Sequence, residues 1–219
     1  MIKLANFFVK LTGWIAQFFC FRTKIYCENR KIQGRRIRGK AIVISNHRAV
    51  YDFAVMMFVF PWRCLRCQVA EITYDKNPFL KGLLKSLGAV RVDRNGRDFS
   101  FVNASCEILD KNGVMEIYPE SRIPLEGEER PLEFKPSAAY IALLSGAPVI
   151  PVYTNGSYFR RKRARVIIGT PIDARALYDD ALSEKENIEA ISRIFREKVI
   201  ALGHELEKRT QKNKEKKKS

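Results

Sequence analysis

The feature that most constrains this chain is an alternation. From residue 41 onward, short apolar runs of strand type trade places with longer stretches of helical period. Residues 41–45, 65–72, 89–92, 114–118, 148–154 and 165–168 read as strands, and 51–60, 78–87, 99–109 and 137–145 as helices. Strands separated by helices cannot pair through tight hairpins, so the expected fold is α/β, a single mixed sheet flanked by helices, with an N-terminal amphipathic membrane-associated helix. Gly88 and Gly146 follow helical runs where a left-handed C-cap is wanted. Ser183 and Glu186 form a capping box ahead of the stripe Ile188, Ile191, Phe195, Val199, Leu202 and Leu206, which predicts a last helix packed on the domain. At 219 residues the chain suits one buried core.

The ends differ from the middle. Residues 1–22 are rich in Phe, Leu, Ile and Trp, but Lys3, Lys10 and Gln17 interrupt them before they reach the length of a membrane span. A basic segment follows, including Arg30, Lys31, Arg35, Arg36, Arg38 and Lys40, opposed only by Glu28. An apolar anchor beside a cationic stretch is a two-signal membrane attachment; a core helix or a signal peptide is the plainer alternative. The expected organisation is a membrane-anchoring helix over 1–22, a catalytic domain over 23–207 and a disordered basic tail over 208–219.

Composition enters through charge and cysteine. A formal net charge of +16 favours an anionic partner, whether a bilayer, an acidic carrier protein or nucleic acid. No zinc finger, recognition helix or RNA-binding aromatic signature accompanies it, so nucleic acid is not the expected partner. Five cysteines make an odd, scattered set unlike a disulfide framework. Cys64 and Cys67 form a C-x-x-C pair without a second pair, and no metal is expected.

The chemistry concentrates after the first strand. His47 stands at its C-terminal end, where open α/β sheets bind ligands, and Asp52 follows in the first turn of the next helix. A carboxylate beside an imidazole fixes its tautomer and stabilises the imidazolium formed on taking a proton, which suits deprotonation of a hydroxyl. A helix-capping Asp beside a hydrogen-bonded loop His would leave the same trace. Arg94 and Arg122 offer forked donors to a phosphate, and no serine sits in a Gly-x-Ser-x-Gly elbow.

Four segments in order, Asn46-His47 through Asp52, Gly88 through Arg94, Tyr118-Pro119-Glu120-Ser121-Arg122 and Val149-Ile150-Pro151-Val152, resemble the blocks of the glycerolipid acyltransferase family, closest to the 1-acylglycerol-3-phosphate acyltransferases. The resemblance covers about residues 41–152. It departs where the family's Pro-Glu-Gly-Thr-Arg is shortened to a single Ser121 between Glu120 and Arg122, and where Arg91 replaces an aromatic residue. It implies transfer of a fatty acyl group to a lysophospholipid at the cytoplasmic face of a membrane. His47 and Asp52 would be catalytic, with Arg94, Glu120, Ser121 and Arg122 binding substrate and Glu120 orienting a glycerol hydroxyl. The donor would be an acyl thioester of coenzyme A or acyl carrier protein, with no further cofactor.

Overall fold

A computed structural model describes residues 1–93, 99–159 and 163–215. Its centre is one seven-stranded sheet in the order β1-β7-β6-β2-β5-β3-β4, formed by β1 (Lys24–Cys27), β2 (Ala41–Ser45), β3 (Leu65–Ala70), β4 (Val90–Val92), β5 (Val114–Ile117), β6 (Val149–Thr154) and β7 (Arg165–Ile168). β6 and β7 run antiparallel and every other pair is parallel, so the sheet is mixed, as expected.

The pleat explains why β2 carries no polar side chain before Ser45. Ile42 and Ile44 face one core with α5 (Ser100–Asp110), α6 (Ser137–Ser145) and α7 (Glu184–Glu215), while Ala41 and Val43 face a second core with α2 (Asp52–Val59). A central parallel strand covered on both faces must read as a continuous apolar run. In α7, Ile191, Phe195, Val199, Leu202 and Leu206 are all buried, as their spacing requires. α4 (Pro78–Leu87) begins with Asn77 accepting from the Leu80 N–H and ends at Gly88, whose φ of 76° is the left-handed cap. α3 (Glu71–Tyr74) is a single turn between β3 and α4.

Two features depart from the sequence reading. In the sequence β1 is indistinguishable from the basic segment, yet Lys24–Cys27 adds an edge strand parallel to β7. An edge strand satisfies one side of its backbone and buries little, so it leaves no apolar run to find. The basic tail expected from 208 is instead helical through Glu215, because Lys, Glu, Arg and Gln are good helix formers and Arg209 ties the helix to the Cys27 and Glu28 carbonyls. Residues 216–219 lie outside the described part.

At the N-terminus, α1 (Ile2–Ala16) is continued by the π-helical turn Gln17–Phe21. The helix packs inside out. Asn6 is only 1% exposed, and Lys10 Nζ donates to the carbonyls of Pro61 (3.0 Å) and Arg63 (2.6 Å) at the end of α2, while Phe7, Phe8, Leu11, Trp14, Phe18 and Phe19 are left in the open. Among the described residues, no helix is long and apolar enough to cross a membrane.

The capping box at the start of α7 is formed in full: Ser183 N–H and Oγ both reach the Glu186 carboxylate, and the Glu186 N–H reaches Ser183 Oγ. Ser183→Ala is expected to lower the unfolding free energy by about 1 kcal/mol in urea titration.

Candidate active site

β2 and β6 are neighbours, and the chain leaves β2 toward β3 on one side and β6 toward β7 on the other, so the crevice beyond their C-terminal ends is the topological switch point of the sheet. Two side chains fasten the strand ends around that crevice. Asn46 pairs with the backbone of Thr154 at the end of β6, donating from Nδ2 to the carbonyl (3.0 Å) and accepting the N–H at Oδ1 (2.8 Å). Glu120, beyond β5, accepts the His47 N–H at Oε1 (2.7 Å) and the Leu132 N–H at Oε2 (2.8 Å). Burial pushes the Glu120 carboxyl up, against the downward pull of those two N–H groups.

The loop between β2 and α2 closes on Asp52, which is fully buried in the first turn of α2. Its Oδ2 accepts the backbone N–H groups of Arg48 (2.7 Å) and Ala49 (2.9 Å) and meets His47 Nδ1 at 2.8 Å. An ionised carboxylate only accepts, so Nδ1 carries the proton and Nε2 keeps its lone pair. The His47 side chain is 21% exposed, which gives Nε2 a path to a substrate. Of the two readings open in the sequence, the structure forms the one in which Asp52 partners the imidazole: the N-cap position of α2 is Tyr51, and the Asp52 carboxylate accepts from the loop before the helix and from no N–H within it.

Three residues missed in the sequence complete the setting. Tyr158 O–H donates to Asp52 Oδ1 at 2.5 Å and contacts Thr154 Oγ1 at 3.0 Å. Burial and the adjacent Asp52 carboxylate raise the Tyr158 phenol well above its ordinary range, so it remains a donor. The ring of Tyr118 stacks on His47, with centroids 4.5 Å apart, and its hydroxyl donates to the buried Glu116. Burial drives the Glu116 carboxyl well above the usual carboxylate range. Only the order of four blocks touched Tyr118, and nothing in the spacing pointed to Tyr158, which approaches Asp52 from 106 residues away.

The expected substrate-binding residues do not gather as one open set. Arg94 lies outside the described residues. Glu120 is 3% exposed with both oxygens on backbone N–H groups, so in this arrangement it holds the loop. Ser121 takes the turn at a φ of 62°, a left-handed conformation that glycine adopts more readily, and its N–H donates to the Tyr118 carbonyl. Arg122 does not present an open fork: both terminal nitrogens reach the Glu128 carboxylate at 2.7 Å, holding that carboxyl down at about 2. Cys64 and Cys67 are free, and burial raises the Cys67 thiol well above its ordinary range, so it is not poised as a thiolate. Among the described residues, no cluster of three His, Cys, Asp or Glu could hold a metal.

Tyr158→Phe removes the one side chain that reaches Asp52 Oδ1 among the described residues and leaves a buried carboxylate oxygen without its donor. The expected loss is about 2 kcal/mol of unfolding free energy, read by urea titration beside wild type.

Comparison with known proteins gives the same outline. The Acyltransferase family model matches residues 24–155. The chain is 24% identical over 168 residues to 1-acyl-sn-glycerol-3-phosphate acyltransferase beta of Homo sapiens, a match that covers 74% of this chain and 59% of that protein. It therefore spans less than two thirds of that relative. The crystal structure of the 1-acyl-sn-glycerophosphate (LPA) acyltransferase PlsC from Thermotoga maritima superposes with a TM-score of 0.62 at 20% identity, over 92% of this chain and 79% of that one. At that identity the likeness establishes the fold. The matched span runs from β1 to the loop beyond β6 and encloses His47, Asp52 and the Glu120 turn, and the chain belongs to the acyltransferase family.

Proposed function

We propose that the protein acylates the free hydroxyl of 1-acylglycerol-3-phosphate with a fatty acyl group from a thioester, at a membrane surface. The observation that carries this reading is the His47 ring, held through Nδ1 by Asp52 while its side chain stays partly exposed. Nε2 takes the hydroxyl proton as the oxygen attacks the thioester carbonyl. The tetrahedral centre then expels the thiolate of coenzyme A or acyl carrier protein, and the imidazolium returns its proton to that sulfur. No acyl-enzyme is needed, because the thiolate is already a good leaving group and one base with aligned substrates suffices. No metal or organic cofactor takes part.

The acceptor phosphate exchanges for Glu128 on Arg122. Both are oxyanions suited to the same guanidinium fork, and Glu128 is six residues from Arg122 on an exposed loop. The Glu128 carboxylate thus keeps the fork preformed until the phosphate arrives. The family names support the acyl transfer, and the arginine supports a phosphorylated acceptor.

The membrane reading rests on α1. A helix whose polar side grips the protein and whose Phe7, Phe8, Leu11 and Trp14 face outward is placed to lie in the interface with its apolar row in the acyl region. Phe159 and Tyr51, packed together over the buried Phe21, continue the apolar surface to the His47 loop, so a lysolipid reaches the crevice along the bilayer.

His47→Ala is expected to lower acceptor-dependent thiol release from an oleoyl thioester in mixed micelles by roughly 10²–10⁴, in a protein that still unfolds cooperatively. Retention of most of the release would overturn the assignment of the base. On the acceptor side, Arg122→Ala should raise the KM for lysophosphatidate about tenfold with a smaller effect on kcat, and Glu128→Gln should lower that KM. A collapsed kcat at unchanged KM in Arg122→Ala would move the arginine from binding to the chemical step.

A further inference from the structure

The connection between β1 and β2 wraps the outer edge of the sheet and walls a groove of about 1240 Å³, closed on other sides by Trp62 and Arg209. Lys24, Arg30, Lys31, Arg36, Arg38 and Arg163 line it, all exposed, and no acidic side chain does among the described residues. The acids at this edge point elsewhere. Glu28 gives its carboxylate to Lys198 (2.6 Å) and to Thr170, and Glu205 pairs with Arg209. Like charges gathered in one concavity repel in the free protein, and an anion seated among them relieves that repulsion.

The groove has an apolar neighbour. Arg35 lies over the exposed Trp62 ring, 5.6 Å from its centroid, and donates to the carbonyls of Phe58 and Val59. On the other side of that same turn, Lys10 of α1 holds the carbonyls of Pro61 and Arg63, and Gly13 approaches Phe58. The cationic groove and α1 therefore both border residues 58–63. The groove is also separate from the reacting atoms: β1 lies three neighbours from β2, roughly 14 Å at the usual strand spacing.

The geometry points to this groove as a seat for the anionic headgroups of a phospholipid surface, so that the charge of the bilayer controls how well the protein docks. This rests on the membrane reading of α1 and adds to it a separate site with its own selectivity. An acidic carrier protein or a nucleic acid would satisfy the arginines but would leave Trp62 and the α1 aromatic row against water. A bilayer interface satisfies both.

The test is co-sedimentation of the full chain with phosphatidylcholine vesicles, with and without phosphatidylglycerol, over a range of salt. Wild type is compared with the combined variant Arg30→Gln, Lys31→Gln, Arg36→Gln and Arg38→Gln, and with the same positions changed to carry Lys. Expected is stronger wild-type binding to anionic vesicles that weakens with salt, a loss of that increment by about tenfold or more in the Gln variant, and its recovery with Lys. Binding to neutral vesicles and thiol release in neutral micelles should stay at wild-type levels in the Gln variant, which separates the groove from α1 and from catalysis. Equal binding of Gln variant and wild type to anionic vesicles would overturn the proposal. So would a variant whose vesicle binding is intact while its affinity for acyl carrier protein or for duplex DNA falls, since the groove would then serve that partner.

Discussion

The buried carboxylate of Asp52 is the contact on which the site depends. Three donors from the loop it closes and one phenol from a distant segment converge on two oxygens with no solvent access. A charge placed there without those donors would be prohibitively costly to desolvate, so the loop, the helix start and the tyrosine must be in place together. The same demand that holds the loop also selects the imidazole tautomer. Structural and chemical roles therefore share one interaction, and a variant at Asp52 cannot separate them.

Around that centre, side chains do the joining that a β-sheet cannot. Strand pairing ends at Ser45, and beyond it Asn46 takes over the β6 side and Glu120 the β5 side, each through backbone groups that the ladder no longer satisfies. Three consecutive strand ends are thereby fastened to the residue pair 46–47. Beneath His47 lies the Tyr118 ring, whose hydroxyl donates to the buried Glu116, and burial pushes both groups toward their neutral forms.

The excess positive charge and the excess exposed apolar surface are not spread evenly. The first collects in the β1–β2 connection at one sheet edge, and the second runs along α1. Both adjoin the turn at 58–63, where Lys10 and Arg35 hold opposite sides of one short segment through its carbonyls. A soluble domain has no use for an amphipathic helix packed by its polar face, because the hydrophobic effect would favour the reverse. This arrangement supports an occupant that supplies apolar surface and negative charge together.

The sequence by itself determined the layered α/β character, the helix over Pro78–Leu87 with its glycine cap, the α7 stripe and the pairing of His47 with Asp52. Each of these follows from local periodicity, capping chemistry or a spacing of a few residues. Tertiary structure alone decided that Tyr158 completes the Asp52 cage, that Glu120 binds backbone N–H groups, that Arg122 pairs with Glu128, and that α1 turns its polar face inward. Those outcomes depend on which distant segments meet and on which acceptor reaches a donor first, and no local pattern encodes either. The edge strand β1 and the continued helix of the basic tail belong to the same class: a charged segment reads as solvated until a neighbour, here β7 or the Cys27 and Glu28 carbonyls, gives its backbone or side chains a partner.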